Sequence, residues 1–147
     1  MLALPYYTNY KARQEFQLIP IILKQHLVQA KSNAYIQHRA AVMCSSENLK
    51  QCQSNQWDKG FIIFIDNNQN KQIDEQEVLI TAYPLSLKYG TLIWKGSLNN
   101  SFITFQGDSG LPRGAIGSFY YCSNLLHKQH RIILNMMGHV RTETSSC

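Results

Sequence analysis

The sequence predicts an α+β fold in which one long N-terminal helix packs against an antiparallel β-sheet. Residues 8–43 place apolar side chains at steps of three and four, the spacing that puts them on one face of a helix. After Cys44 the pattern changes to short apolar runs of strand length, separated by polar connections. At 147 residues the chain is long enough to bury a core. We expect a single domain over 1–147, with the helix over 1–43 and a β-rich head over 44–147.

The helix prediction rests on a stripe of apolar residues with polar residues on the remaining faces. A one-sided stripe of this kind needs an apolar cover. Pro20 removes one hydrogen bond from the helix, and we expect a kink there because the stripe keeps its phase on both sides. The alternative is that Pro20 begins a second helix. The stripe consists of Phe16, Ile19, Leu23, Leu27, Ala30 and Ala34 with Ile22 and Val28 beside it; the polar faces carry Lys24, Gln25, Gln29, Lys31 and Gln37.

The strands are predicted from apolar runs bounded by turn residues. Residues 61–65 and 77–83 form a strand and its return strand. Residues 91–95 and 102–105 are expected to pair as a hairpin that turns at Asn99-Asn100. Two further strands are expected at 116–122 and 131–137, joined by a basic turn at 127–130.

Composition excludes some classes of protein. An apolar content of 44% with 16% charged residues is typical of a folded globular chain and argues against disorder. The net charge of +5 permits nucleic acid or an acidic surface as a partner without requiring either. No run of 18 apolar residues is present to cross a bilayer.

The four cysteines, Cys44, Cys52, Cys122 and Cys147, favour disulfides and an oxidising compartment. None forms a Cys-x-x-Cys motif, so structural zinc is not expected. Four cysteines allow three pairings. Cys44 with Cys52 is local in sequence, and this choice leaves Cys122 to bind Cys147 and hold the tail to the sheet. The alternative is four reduced, buried thiols in a cytosolic protein.

No pattern of catalytic or cofactor-binding residues emerges, and we expect neither enzyme activity nor a cofactor. Gly107-Asp-Ser-Gly110 matches the surroundings of a trypsin-like serine, but a triad is defined by geometry and not by four letters, and a glycine-rich turn explains it better. P-loop, Rossmann and nucleophile-elbow motifs are absent from the sequence. The histidines lack metal-ligand spacing beyond His127 and His130, and we interpret them as surface residues.

The polar segment 66–77 has a weak resemblance to a calcium loop. Five of its residues fall on positions one, three, five, nine and twelve of an EF-hand, with Ile73 at the hydrophobic eighth. Lys71 stands where the loop needs glycine, and the flanking segments are strands. A solvated hairpin loop is the simpler interpretation. The five candidate ligands are Asp66, Asn68, Asn70, Asp74 and Glu77.

The C-terminal third is enriched in positive charge, with few acidic residues to balance it. If the last strands form one edge, these side chains are suited to contact phosphates, and Tyr120 or Tyr121 to stack on bases. One of these adjacent tyrosines must face the core. An ordinary solvated sheet edge is an equally simple explanation. The basic residues are Arg113, Lys128, Arg131 and Arg141, with His127, His130 and His139.

Several motifs, taken together and in order, resemble the GspH/FimT family of minor pilins and pseudopilins. The resemblance covers most of the chain. At the N-terminal end, Ala3-Leu4-Pro5-Tyr6, Tyr10 and Arg13 stand where the family's membrane segment runs into its helix. The other motifs are Trp57-x-x-Gly60-Phe-Ile-Ile-Phe-x-Asp66-x-Asn68, Asp74-x-x-Glu77-Val-Leu, Leu92-x-Trp94-x-Gly96, Ile103-x-Phe105 with Gly110, and Gly117-Ser-Phe119-x-x-Cys122 followed by Arg131-Ile-Ile-Leu.

The resemblance implies a pilin-like fold and a non-catalytic role. Residues 1–43 would be the C-terminal part of a pilin helix whose membrane-spanning part is mostly missing here. The head would lie in the periplasm, anchored to the inner membrane, and would then join other pilins or pseudopilins in the fibre of a type IV pilus or a type II secretion machine. A calcium-binding adhesive head, built on the loop 66–77, is the weakest alternative.

A second function implied by the resemblance is DNA binding. FimT-like members bind double-stranded DNA during natural transformation through a basic C-terminal Gly-Arg-x-Arg motif. This chain has Gly138-His139-Val140-Arg141, so that a histidine replaces the first arginine. A histidine is mostly neutral near pH 7 and makes no bidentate phosphate contact. The expected DNA-contacting residues are Lys128, Arg131, His139 and Arg141.

Overall fold

Helix α1 spans Ala3–Gln37 and is followed by β-strands only. The computed structural model describes residues 3–68, 70, 72–74, 77–97, 101–112 and 116–147, with side chains from Tyr6 onward. Within these residues the strands are β1 Ala41–Ser45, β2 Gly60–Ile65, β3 Leu79–Pro84, β4 Gly90–Gly96, β5 Phe102–Phe105, β6 Gly117–Ser123, β7 Lys128–Leu134 and β8 Val140–Ser146. The predicted α+β class, a long helix on antiparallel sheet, is confirmed.

The strands form two antiparallel sheets that α1 covers together. The first sheet has the order β3-β2-β1-β5 and the second the order β4-β6-β7-β8. All described strand pairs are antiparallel. The hairpins β2–β3, β6–β7 and β7–β8 join neighbours in sequence, whereas β1 pairs with the distant β5, and β4 with β6.

The helix is shorter than predicted, because it ends at Gln37 and not at 43. His38 adopts a left-handed conformation with φ of 54°, and the N–H of Arg39 donates to the carbonyl of Ala34. This hydrogen bond closes the helix in the manner of a Schellman motif. The sequence carries no glycine at this point to mark the stop. The alternative of a second helix that begins at Pro20 is wrong, because Pro20 lies inside the continuous α1.

Other strand predictions need correction. The segments 91–95 and 102–105 do not pair as a hairpin, since β4 lies in the second sheet and β5 in the first. Their expected turn, Asn99-Asn100, falls outside the described residues. Strand β7 begins at Lys128, so the turn before it is 124–127 and not the basic segment 127–130. Two strands, β1 and β8, lie where helix and polar tail were expected.

The main core lies between α1 and the inner faces of the two sheets. The predicted stripe supplies the helical side, and Ala12 extends it toward the N-terminus. Trp57 makes an edge-on contact with Phe119 at 4.8 Å between ring centroids and also contacts Phe61. It therefore connects the two sheets. The buried helical residues are Ala12, Ile19, Leu23, Leu27, Ala30 and Ala34.

A second apolar layer explains why residues 61–65 are continuously apolar. Phe61 and Ile63 face α1, whereas Ile62 and Phe64 join a separate cluster on the other side of the first sheet. This cluster is covered by the loop that carries Leu49, together with Ile73. A strand buried on both faces loses the usual alternation of apolar and polar residues.

Both disulfides have the pairing that sequence locality favours. Cys44 binds Cys52 across a separation of 8 residues, and Cys122 binds Cys147 across 25. The first holds the covering loop on β1. The second joins Cys147, which follows β8, to β6, the strand that lies between β4 and β7 in the second sheet.

The packing of α1 predicts different costs for the same substitution on its two sides. Leu23 is fully buried, whereas Leu18 is 51% exposed. Leu23→Ala leaves a cavity and should lower the free energy of unfolding by about 2–5 kcal/mol. The matched control Leu18→Ala should change it by about 0.5 kcal/mol or less. Urea denaturation followed by circular dichroism measures both, and equal losses would contradict this assignment of the buried face.

Candidate functional site

The first candidate site is a second apolar face of α1, which the sequence interpretation missed. Ile21 and Val28 are 53% and 47% exposed, and Tyr35 follows with its ring also exposed. Their spacing of seven residues returns each to nearly the same side of the helix, about 140° from the core stripe at 100° per residue. Leu18 and Ile36 flank them and are exposed. The apolar surface of α1 is therefore two-sided, in contrast to the one-sided stripe predicted above.

Three exposed tyrosines, Tyr6, Tyr7 and Tyr10, continue this surface toward the N-terminus. Lys11 Nζ lies 5.4 Å from the ring centroid of Tyr7, a cation–π contact. Gln14 donates to the hydroxyl of Tyr10 at 2.9 Å. Tyrosine is suited to a boundary between an apolar and an aqueous phase, because its ring is apolar and its hydroxyl polar. No helix of the described residues is both long and apolar enough to span a membrane.

Glu15 fixes the rotation of α1 and so decides which face is left exposed. Its carboxylate accepts a hydrogen bond from the hydroxyl of Tyr121 on β6. It also accepts the backbone N–H groups of Lys88 and Tyr89, each at 3.2 Å, in the connection before β4. Burial, and then the hydrogen bond and charge of Glu15, raise the pKa of Tyr121 well above its ordinary value of 10.0. The phenol therefore stays neutral as a donor.

The second candidate site is the outer face of the second sheet, the face turned away from α1. Tyr120 lies there between two cations, with Lys95 Nζ 5.2 Å and Arg131 Cζ 5.8 Å from its ring centroid. Arg141, on the neighbouring strand β8, lies on the same face and diagonally opposite Arg131. Glu143 forms ion pairs with both arginines, at 3.2 Å to Arg141 and 3.8 Å to Arg131. The adjacent Tyr121 is the tyrosine that faces the core.

The structure does not bring the four predicted DNA-contacting residues together. Arg131 and Arg141 share the outer face, as the register pairs Arg131 with Glu143 and Ile133 with Arg141. Lys128 has the strand parity of the buried Ile132 and so lies on the side of α1, where it lines a cavity with Arg13 and Phe16. His139 is exposed in the turn before β8. Arg113 falls outside the described residues.

Two histidines are not the surface residues that were expected. His130 stacks on Phe16 with ring centroids 3.7 Å apart, and burial lowers its pKa against the opposing effect of a hydrogen bond with the Phe16 backbone. His26 lies edge-on to Phe61 and Tyr83 at the core margin. His38, His127 and His139 are exposed, as predicted.

The calcium-like loop uses its acidic groups in its own hydrogen bonds. The amides of Asn68 and Asn70 donate to one carboxylate oxygen of Asp74, at 2.6 Å and 3.1 Å. Glu77 accepts the N–H groups of Asn67 and Asp74. Asp66 is buried. Among the described residues no group of three or more His, Cys, Asp or Glu is arranged to hold a metal ion, and Lys71 is not described.

The protease-like tetrapeptide 107–110 forms a turn that packs on the end of α1. A Cβ at Gly107 would lie 2.5 Å from the backbone nitrogen of Arg39, so only glycine permits this approach. The N–H of Gly110 donates to the carbonyl of Gln106 at 2.7 Å, and Ser109 Oγ accepts the N–H of Leu111. The glycine-rich turn predicted for this segment is confirmed.

Comparison with known proteins gives one family and a consistent set of folds. The family model of the type II transport protein GspH matches residues 23–138. The type IV minor pilin FimU of Pseudomonas aeruginosa has a TM-score of 0.64 at 20% identity, over 91% of this chain and 92% of its own. The minor pseudopilin EpsH of the Vibrio cholerae Type 2 Secretion System has a TM-score of 0.58 at 9% identity, over 86% and 94%. No protein of curated function shows significant sequence similarity to this chain.

The raised pKa of Tyr121 predicts a specific loss of stability at alkaline pH. Above 10.0 the phenol ionises in the unfolded chain but stays neutral in the folded protein, so that rising pH favours unfolding. Tyr121→Phe lacks this group. The variant should be less stable than the wild type at neutral pH by about 1–3 kcal/mol, because it loses a hydrogen bond to a charged carboxylate.

The difference in free energy of unfolding between the two proteins should then shrink as the pH rises above 10.0. Urea titrations at successive pH values measure this difference. The ionisation of the other tyrosines affects both proteins equally and therefore cancels in the difference. A gap that stays constant through this range would contradict the hydrogen-bonded, neutral state of Tyr121.

Proposed function

The chain belongs to the GspH family of type II transport proteins, and we propose that it is a non-catalytic subunit of a type IV pilus or a type II secretion pseudopilus, into which it assembles through α1. The fold similarity to a minor pilin and a minor pseudopilin supports this role. Its neighbours in the fibre are other pilins or pseudopilins. Its head is a periplasmic domain, held at the inner membrane by a segment that precedes the described helix.

The observation that carries the proposal is the exposed apolar face of α1. Burying a large aliphatic side chain stabilises an association by about 1.5–3 kcal/mol when burial is complete. Ile21 and Val28 are about half exposed in the isolated chain, so that each has about half of this stabilisation still available. Contact with neighbouring helices in a fibre would remove this face from water. A monomer has no comparable use for it.

The tyrosines near the N-terminus support the proposed position at the membrane. Tyr6, Tyr7 and Tyr10 are exposed on the first turns of α1, and Lys11 and Arg13 follow. Tyrosine is enriched at both membrane–water interfaces. This arrangement suits a helix that emerges from the bilayer at this point and carries the head above it.

A second candidate function is DNA binding, and the outer face of the second sheet favours it. Lys95 and Arg131 flank the half-buried ring of Tyr120 there, and Arg141 lies on the same face, a combination that suits phosphates and bases. Two features weaken this function. Glu143 contacts both arginines, and His139 replaces the first arginine of the family's DNA-binding motif.

The assembly role predicts that a charge on the exposed face of α1 blocks incorporation without unfolding the chain. Ile21→Lys and Val28→Lys should each reduce the amount of subunit in the fibre by about tenfold or more, because a lysine ammonium cannot be buried between apolar helices. The measurement is quantitative immunoblotting of sheared fibres against whole cells that make the full-length protein.

The matched control is Gln37→Lys, which places the same charge on an exposed polar position of the same helix, on the opposite side of its axis from Ile21 and Val28. It should assemble nearly as well as the wild type. Thermal melts should be unchanged in all three variants. Normal incorporation of the Ile21 and Val28 variants would refute the role assigned to this face.

The DNA-binding role predicts opposite effects of two changes on the same face. Arg131→Ala with Arg141→Ala should abolish binding of double-stranded DNA at low salt, whereas Glu143→Gln should strengthen it about threefold or more, because the arginines lose their acidic partner. Lys128→Ala, on the opposite side of the strand, is the control. Fluorescence anisotropy at two salt concentrations measures this, and no binding at low salt would exclude the function for this chain.

A further inference from the structure

Two cavities lie along the seam between α1 and β8, the edge strand of the second sheet. The upper cavity, about 550 Å³, is lined by Lys24, Val28, Lys31 and Tyr35 on α1 and by Val140 at the start of β8. The lower cavity, about 400 Å³, is lined by Arg13 and Phe16 on α1, by Lys128, and by Thr142 on β8. We call this seam with its two cavities the helix–edge groove.

The helix–edge groove is cationic with an apolar floor. Lys24 and Lys31 line its upper part, and Arg13 and Lys128 its lower part. Neither lining contains an Asp or Glu among the described residues. Two nearby acids face elsewhere, since Glu143 lies on the outer face of β8 and Glu15 accepts from Tyr121. Val28 and Phe16 supply apolar surface. A ligand with alternate acidic and apolar groups matches these walls.

The backbone of β8 offers hydrogen-bonding groups on the same side. The N–H of Asn135 donates to the carbonyl of His139, and the N–H of Cys147 donates to the carbonyl of His127. These two pairs belong to one antiparallel register, in which hydrogen-bonded and non-hydrogen-bonded pairs alternate. Thr142 and Thr144 therefore point their N–H and C=O groups away from β7. An extended chain can pair with them as a further strand.

We propose that the helix–edge groove binds an extended, acidic peptide segment, which pairs with the free edge of β8 and places alternate carboxylates against the lysines of α1. The inference rests on the proposed function, because in a fibre such a segment belongs to a neighbouring subunit. Successive side chains of a strand point to opposite faces, so that every second residue of the added strand faces α1. A DNA duplex is too wide to enter a seam of strand width and would contact exposed cations instead.

The first test uses a fluorescein-labelled peptide of alternating Glu and Val residues, as long as the 7 residues of β8. Its lysine counterpart, with Lys in place of Glu, is the matched probe. Anisotropy should show binding of the acidic peptide that weakens with salt, and no binding of the basic one. Lys24→Glu with Lys31→Glu should weaken the acidic peptide by about tenfold or more and admit the basic peptide.

The second test separates strand addition from attraction between charges. Thr142→Pro removes one outward N–H, and proline is tolerated on an edge strand when its nitrogen faces solvent. The control, Thr142→Val, keeps the N–H and a side chain of similar shape. The proline variant should lose peptide binding and the valine variant should retain it, with thermal melts of both close to that of the wild type.

Three results would overturn the proposal. The first is peptide binding that neither the charge reversal nor Thr142→Pro reduces. The second is loss of binding on charge reversal but not with Thr142→Pro, together with competition by duplex DNA, which indicates an electrostatic nucleic-acid surface. The third is no binding of the acidic peptide. If Ile21→Lys nevertheless blocks assembly, the proposed role in the fibre is retained and only the peptide-binding role of the groove is refuted.

Discussion

The contact between one face of α1 and both sheets determines the rest of this structure. The two sheets share no strand among the described residues, and what joins them is the helix together with the aromatic contacts of Trp57. The contacting face of α1 includes Ala30 and Ala34, whose small side chains let the helix lie close to β1. Glu15 then fixes the rotation of the helix through β6 and the connection before β4. Once this rotation is set, the second apolar face must point outward.

The parts of the fold that the sequence predicts are those that depend on local periodicity. The buried face of α1 follows from the spacing between Phe16 and Ala34, and β2 from a run that is apolar at every position. The end of α1 could not be predicted this way, because His38 takes the left-handed conformation that glycine usually marks. The pairing of β1 with β5 is likewise set by tertiary packing, since about 60 residues separate them in the chain.

The candidate sites were harder to predict because they depend on which face of a strand or helix each residue occupies. The register of β7 and β8 follows from the turn at Asn135–His139, where Gly138 has a φ of 75°. A shift of one residue would exchange the inner and outer faces. This register places Arg131 and Lys128 on opposite sides, although the sequence groups them as one basic cluster. The second face of α1 carries a readable signal, the seven-residue spacing of Ile21, Val28 and Tyr35, which is weaker than the periodicity of the core stripe.

The disulfide between Cys122 and Cys147 has a mechanical consequence for the second sheet. Tension on a sheet is most damaging when it peels an edge strand from its free end, breaking one hydrogen bond after another. Here the Ser146 end of β8 is covalently fastened to β6 across β7 through Cys147. Peeling from this end is therefore blocked by the disulfide. At the other end of β8, Lys31 of α1 donates a hydrogen bond to the Met137 carbonyl in the turn 135–139. The head resists a pull at its last strand by shearing many hydrogen bonds together.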